Sequence, residues 1–478
     1  MNPTLQTDYL IIGSGAVAMA FADTLFHETD ARMVIVDRHH GPGGHWNDAY
    51  PFVKLHQPSA YYGVNSRPLG TGLKDAAGIN VGMCERASAA ELLHYYEQVM
   101  QAMMASGQVK YFPMSNYTGL AGDTAGNGVG DAHNGNVHAF SALTSGRVTH
   151  VAVGKKVVDT TYLQTAVPST TPPKYSVAPE HTCVPVNGIT RIAKPAAGYI
   201  VVGSGKTGID ACLWLLENGT QPDAITWIMP RDAWYLNRAN VQPGAEFFAQ
   251  SYGSFAAQME AVAAGNSVDE VLANLAASGQ LLRLDDSITP TMFHAAIMSR
   301  SEIAELSKIK RIVRMGRVQR IEREQIILDK GTVPCTPSAL VVDCSASAVN
   351  RRPIIPVFNG NTITLQFIRT VQPTFSAAMI AHVEASYEDE AAKNALCTVV
   401  PLPDQPVHWL QMMAVNMGNQ LRWSKDKNLS RWIAMSRLDG FSAMAARVTP
   451  EQPEKMALLM RYGKSAGPAA MKLAQLLA

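Results

Sequence analysis

Gly13, Gly15 and Ala18 stand in the run Gly13-Ser14-Gly15-Ala16-Val17-Ala18, directly after the apolar stretch Tyr9-Leu10-Ile11-Ile12. Residues of these types at this spacing are suited to holding a pyrophosphate. A strand leads into a turn where glycines let the backbone bend sharply and come close to a ligand. The amides from Ala16 onward open a helix whose dipole faces the phosphates, and the small side chain of Ala18 allows close helix–strand packing. Met33-Val34-Ile35-Val36 reads as the next strand. It delivers Asp37 roughly twenty residues on, where a carboxylate accepts ribose hydroxyls; Arg38 beside it joins the cofactor set. Gly43-Gly44-His45-Trp46 follows and adds Gly44, His45 and Trp46. Together these features read as an FAD cradle.

A second set begins after Pro195. Tyr199-Ile200-Val201-Val202 runs into Gly203-Ser204-Gly205-Lys206-Thr207-Gly208, a full G-x-G-x-x-G in which Ser204, Lys206 and Thr207 are also candidate cofactor contacts. An ATP-type phosphate loop is disfavoured, because Ile200 stands five residues before Gly205 where that motif needs a glycine. The strand Ala224 to Met229 ends in Pro230-Arg231 rather than a carboxylate. A basic residue there suits a 2′-phosphate, so NADPH is expected, with Arg231 as its reader and Lys206 or Arg238 assisting. A simpler reading pairs Arg231 with its neighbour Asp232 at the surface.

The loop Asn47 to Gly63 is dense in aromatic and polar groups and is expected to run along a flavin toward its ring. Lys54, His56 and Gln57 on it are the candidate catalytic donors; the plain alternative is that they are structural loop residues. Further on, Ile363 to Arg369 reads as a strand, and a helix opens at Thr374. Its N-terminus, assisted by Arg369 or Gln372, could face the electron-rich edge of a reduced flavin.

These residues need two α/β units to position them. The fold class expected is α/β with two Rossmann-like dinucleotide-binding domains, the NADPH domain inserted in the FAD domain, a β-meander and a C-terminal helical segment. The boundaries expected are 1–193 for the first part of the FAD domain, with the meander at about 108–158 around a turn-rich loop from Gly122 to Asp131. The NADPH domain spans 194–337, the return segment 338–380, and the helical segment 381–478. Leu340 to Ala346 is read as the strand that brings the chain back to the first domain. Ser88 and Glu91 form a capping box for a helix over 88–106. Residues 246–282 are helical in pattern, and the methionines from Met412 to Met460 serve core or interface packing.

With 40 basic and 39 acidic residues among 478, the chain lacks the charge of a nucleic-acid or anionic-membrane binder. No stretch reaches the roughly eighteen apolar residues of a membrane span, and the start has no secretory pattern. A cytoplasmic protein acting on a small-molecule substrate is expected, with a homo-oligomer left open. Six scattered cysteines and thirteen histidines form no metal or redox-disulfide motif, so no metal is expected.

On its two glycine fingerprints and its Gly43-Gly44-x-Trp46 element, the chain resembles the two-dinucleotide-binding-domain flavoproteins, and among them the flavin-containing monooxygenases and their Baeyer-Villiger relatives. The resemblance covers roughly residues 8–65, 197–235 and 338–378. It implies FAD, NADPH and molecular oxygen, with a flavin peroxide that oxygenates nitrogen, sulfur or a carbonyl. The chain departs from the family pattern in two places: Cys183-Val184-Pro185-Val186-Asn187-Gly188 stands where F-x-G-x-x-x-H is expected, and Lys54-Leu55-His56-Gln57-Pro58 replaces an arginine-bearing element after the tryptophan. An NADPH-dependent oxidase or reductase without oxygen insertion, or a flavin-binding redox sensor or partner, are the alternatives.

Overall fold

The computed structural model describes residues 4–121, 136–347 and 351–478, so the turn-rich stretch from Gly122 to Asp131 lies outside the described residues. Strand β1 (Leu5–Ile12) has Leu10 and Ile11 fully buried on opposite faces, as a parallel strand covered on both sides requires. It pairs in parallel with β2 (Met33–Val36), bringing Ile12 opposite Val36. The crossover helix α1 (Ala16–Glu28) is buried from Ala18 to Leu25. Helix α2 (Ala89–Ala105) opens with the expected capping box: the Ser88 amide donates to Glu91 Oε2 at 2.7 Å, and the Glu91 amide to Ser88 Oγ at 3.3 Å.

β3 (Val109–Phe112) extends the sheet in parallel beyond β2. β4 (Ser115–Leu120) pairs antiparallel with β5 (Val137–Ala142), and β5 with the first part of β6 (Val148–Asp159). β6 is one long strand that outlasts its pairing with β5. Its far end runs parallel to β1, with Ile12 opposite Asp159.

The chain then passes through β7 (Ser176–Val177) into a second parallel sheet made of β8 (Cys183–Pro185), β9 (Tyr199–Val202), β10 (Ile225–Ile228), β14 (Arg311–Val313) and β18 (Leu340–Asp343), in the order β14-β10-β9-β18-β8. Helix α3 (Lys206–Glu217) connects β9 to β10. Between β10 and β14 lie β11 (Tyr235–Asn237), α4 (Phe248–Ala264), α5 (Val268–Ala277), β12 (Leu281–Leu282), β13 (Ile297–Met298) and α6 (Arg300–Leu306). After β14, strands β15 (Val318–Ile321), β16 (Gln325–Leu328) and β17 (Gly331–Pro334) form a small antiparallel sheet, which β7 extends.

One expectation is corrected here. The strand at 340–346 does not rejoin the first sheet: β18 pairs with β9 and β8 in the second. Its buried Val341 and Val342 suit either sheet, and its pairing partners are not encoded locally. The chain returns to the first sheet later, through β19 (Phe358–Asn359) and β20 (Thr362–Thr364), with β20 parallel to β6. Helix α7 (Pro373–Ser386) then packs along α1.

Helices α8 (Glu390–Leu396), α9 (Pro406–Lys425), α10 (Lys427–Met435), α11 (Phe441–Ala446) and α12 (Pro453–Leu477) complete the chain, with α12 lying along α4. Met412 and Met413 are core residues, whereas Met435 and Met460 are exposed. Among the described residues no helix is long and apolar enough to cross a membrane.

The glycines of the second fingerprint differ in what they can tolerate. A Cβ on Gly208 would lie 2.2 Å from the Gly203 carbonyl oxygen, which also accepts the indole N–H of buried Trp227 at 2.8 Å. Gly205 has open space around its Cβ position and an ordinary extended backbone. Gly208→Ala is therefore expected to cost about 2 kcal/mol by overpacking, while Gly205→Ala stays within about 0.5 kcal/mol. Thermal melts of both variants check this, and equal melting temperatures would contradict the packing assigned to Gly208.

Candidate functional site

The first glycine turn is held backbone against backbone. Gly13 has φ +100°, and a Cβ there would lie 2.4 Å from Thr160 Oγ1, which donates to the Ile12 carbonyl at 2.7 Å. The Gly43 amide donates to the Ser14 carbonyl at 2.8 Å, and a Cβ on Gly44 would come within 2.8 Å of Gly15 Cα. Gly44 thus needs to be glycine for this close approach. Gly15 caps α1 without a side-chain bond, which leaves the first helical amides, from Ala16, open to an anion. Ala18 is fully buried at the helix–strand contact. Trp46 donates its indole N–H to the Tyr62 hydroxyl at 3.1 Å, and His45 stacks on its ring. Burial lowers the His45 imidazole to about 4 and keeps it neutral.

Asp37 stands at the end of β2, where the sequence places it, but its carboxylate is already bonded on every side. Oδ2 accepts the Ser14 amide and hydroxyl, and Oδ1 accepts the His39 amide at 2.7 Å and lies 2.9 Å from His39 Nδ1. A carboxylate offers about four lone-pair positions, so Asp37 has none to spare while His39 holds it. The other ring nitrogen of His39 meets Asp48 at 2.8 Å, in the turn Gly44–Asp48. One imidazole therefore bridges two carboxylates. The bond to Asp37, with Asp48 adding to it, raises His39 to about 9 despite partial burial. Burial works against the charge on Asp37, yet the His39 and Ser14 donors hold its carboxyl below the usual range. Sequence reasoning passed over His39, although its place two residues after the dinucleotide acid was a usable signal. Arg38 is exposed.

The second turn, at the start of α3, is also uncapped by any side chain. Gly203 takes φ +135°, with its Cβ position 2.4 Å from the Cys344 carbonyl oxygen at the end of β18. Ser204 is buried and Thr207 half-buried. Lys206 does not reach forward: its ammonium bonds the Asp210 carboxylate one helical turn on, and Asp210 also accepts the Tyr50 hydroxyl at 2.6 Å. Arg231 pairs in a fork with Asp404, at 2.7 and 3.2 Å, and His294 meets the same carboxylate at 3.0 Å. Asp232, its sequence neighbour, is taken by Arg314 instead.

Arg238 cannot assist at a phosphate as expected, because it has no exposed surface. Its guanidinium donates to the His56 carbonyl at 3.1 Å, Asn80 Oδ1 at 2.8 Å and the Ile297 carbonyl at 2.9 Å, and pairs with Glu302 at 2.8 Å.

Lys54, His56 and Gln57 lie in different surroundings. Lys54 is exposed and lines a cleft against α3 with Arg86, Lys206, Asp210 and Glu302. His56 is half-buried; burial, with Lys206, Arg238 and Arg86 nearby, depresses its imidazole well below the usual value. Gln57 is buried and donates to the Tyr61 carbonyl at 3.4 Å, beside the start of α7, where Thr374 Oγ1 approaches the same oxygen at 3.5 Å. That helix N-terminus is covered by residues 437–441. Arg369 is ion-paired with the Asp439 carboxylate, Gln372 bonds the Leu438 carbonyl at 3.5 Å, and Phe441 stacks on Tyr61 at 4.9 Å. Arg437 donates to the carbonyls of Ala60 and Tyr62 at 2.8 and 2.7 Å. Nothing in the local sequence announced this cover.

Two glycine-turned parallel sheets in this arrangement define the fold of the two-dinucleotide-binding-domain flavoproteins to which the flavin-containing and Baeyer-Villiger monooxygenases belong. An open crystal structure of cyclohexanone monooxygenase matches 82% of this chain and 88% of its own, with a TM-score of 0.50 at 14% identity. A flavin-containing monooxygenase from Stenotrophomonas maltophilia aligns over 80% of this chain and 99% of its own, with a TM-score of 0.47 at 12% identity. No family model matches the chain. In sequence the chain is 44% identical over 475 residues to uncharacterized proteins of Mycobacterium tuberculosis and Mycobacterium bovis, covering 99% of itself and 85% of each relative. It belongs to the same family as these mycobacterial proteins.

The His39 bridge sets a pH dependence. A histidine raised on folding from its ordinary value of 6.5 to about 9 stabilises the fold fully below 6.5, and that contribution is lost as pH rises through 9. His39→Asn is therefore expected to lower the melting temperature more at pH 6 than at pH 10. A pH-independent difference between the two proteins would show that the bridge carries no charge.

Proposed function

We propose that the protein is an FAD-dependent, NADPH-consuming oxidoreductase that oxygenates a small organic substrate at nitrogen, sulfur or a carbonyl, working in the cytoplasm. The observation that supports this most directly is the pair of uncapped helix N-termini, α1 and α3, each following a glycine turn at the end of a parallel strand. The turns fit dinucleotides: Gly13, Gly15, Ala16 and Ala18 leave backbone amides and close packing for FAD, and Gly203, Ser204, Gly205, Lys206, Thr207 and Gly208 do so for NADPH. The bound cofactors supply hydride transfer from nicotinamide to flavin and the passage of reducing equivalents to oxygen.

The chain's own groups bind and orient. Asp37 takes the ribose hydroxyls by giving up bonds to His39, and Arg38 lies beside it. Gly44, His45 and Trp46 flank the pyrophosphate, with His45 neutral and Trp46 braced by Tyr62. Arg231 reads the 2′-phosphate by exchanging Asp404 for it, a like-for-like swap of one anion for another on the same guanidinium fork. Lys54 and neutral His56 approach from the α3 side, and Gln57, Arg369 and Gln372 from the α7 side, as hydrogen-bond donors to the reacting ring.

The test is the visible spectrum of the purified protein, loaded with FAD and mixed with NADPH without oxygen and then with air. Bleaching by NADPH, followed on aeration by oxygen transfer to amine, sulfide or ketone substrates, is expected. Hydrogen peroxide release without oxygenated product favours the oxidase reading, and a flavin that stays yellow overturns both. Gly205→Ala, neutral for stability, is expected to weaken NADPH about tenfold, roughly 1.4 kcal/mol, because its new Cβ stands where the phosphate must approach.

A further inference from the structure

The cleft between α3 and the unit of the first sheet shares Lys54 and Lys206 with the proposed reaction site and adds groups that site does not use. It measures about 180 Å³, roughly six water molecules by liquid volume. Phe52 and Trp214 stack on each other at 5.2 Å and 25° to form an aromatic wall, continued by Leu213 and Ile79. Its charged groups fall into those already matched and those left over. Asp210 is held by Lys206 and Tyr50. Glu302 accepts Arg238 at 2.8 Å, Asn80 at 3.3 Å and the Ser299 amide at 2.9 Å. Neither acid needs a ligand.

Arg86 is different. Its side chain is 9% exposed, and its protein partners are the Leu55 carbonyl at 3.4 Å and Glu302 at 3.7 Å, both long and both served by Nη1. Nε and Nη2 make no hydrogen bond among the described residues and are not sealed off from solvent, so they are open to a ligand entering the cleft. Lys54, also lining the cleft, has no carboxylate within ion-pair distance among the described residues. At the mouth stand exposed Glu217 and half-buried Asp75. One end of the cleft thus presents a cationic fork with two donors not bonded to protein among the described residues, and the exposed end carries acids.

We propose that this cleft binds a small monocarboxylate with a flat apolar body, the carboxylate seated on Arg86 and the body against Phe52 and Trp214. A guanidinium fork matches two carboxylate oxygens side by side. The rim acids disfavour a dianionic phosphate, and the aromatic wall favours a planar ring over a polar chain. Lys54 adds charge near the mouth, and Lys206 is the residue shared with the second glycine turn.

The probe is benzoate, with benzamide as the uncharged match in shape and benzylamine as the cation, titrated by calorimetry into the purified protein without added nicotinamide or flavin. This measurement is independent of redox chemistry, so it separates from the test of the proposed reaction. Benzoate is expected to bind one site with a Kd of about 1 mM, and benzamide and benzylamine at least about tenfold more weakly. Arg86→Gln is expected to lower benzoate affinity about tenfold, Arg86→Lys less, and Lys54→Gln a few-fold. Should Arg86→Gln fail to fold, Arg86→Lys and Lys54→Gln decide. Absence of benzoate binding, benzamide binding as tightly as benzoate, or folded Arg86 and Lys54 variants with unchanged affinity overturns the proposal.

Discussion

The buried guanidinium of Arg238 ties the units of the two sheets together. It follows β11, in the stretch inserted after β10, yet two of its bonds go to the first domain, at the His56 carbonyl and Asn80. The remainder, to Ile297 and Glu302, anchor it in its own unit. Removing one member of such a buried set leaves an uncompensated charge and costs about 3–5 kcal/mol. Burial alone would push the Glu302 carboxyl up, but Arg238 and Lys206 hold it at about 2, so the pair stays ionised. The loop carrying Lys54, His56 and Gln57 is therefore pinned to the second domain at its centre, and the cleft lined by Arg86 has its floor fixed by the same cluster.

Where the chemistry is local, the sequence was informative. Both glycine turns, the strands before them, Asp37 and the Ser88 capping box are specified within a few residues, and each sits on the element expected of it. Pairing across the chain was not readable. β18 is apolar enough for either parallel sheet, and only its neighbours β9 and β8 decide which one it joins. The simpler reading gave Arg231 the adjacent Asp232 as partner, and the fold supplies Asp404, 173 residues on. The same holds at α7, whose N-terminus was legible but whose cover by residues 437–441 was not. The type of a side chain is written in the sequence; its distant partner is a property of the packed fold.

The two glycine turns are alike in backbone and unlike in how nearby charge is held. At the first, a histidine holds Asp37; at the second, the lysine is folded back onto its own helix and the arginine onto Asp404. In each place a charge suited to a nucleotide is matched within the protein. These charges are paired within the protein, and on the proposed reading a nucleotide would exchange partners with them to bind.

The grip of Arg437 on the carbonyls of Ala60, Tyr62 and Val64 joins residues as much as 377 positions apart. Closing so long a loop is entropically costly and slow, and contacts of this separation form late in folding. On the ribosome the first glycine turn emerges and can pair its strands early, whereas the loop beside Tyr61 waits for nearly four hundred further residues, about twenty seconds or more of synthesis at roughly 5–20 residues per second. The Tyr61 ring, which stacks on Phe441 in the folded protein, lacks that cover through this interval.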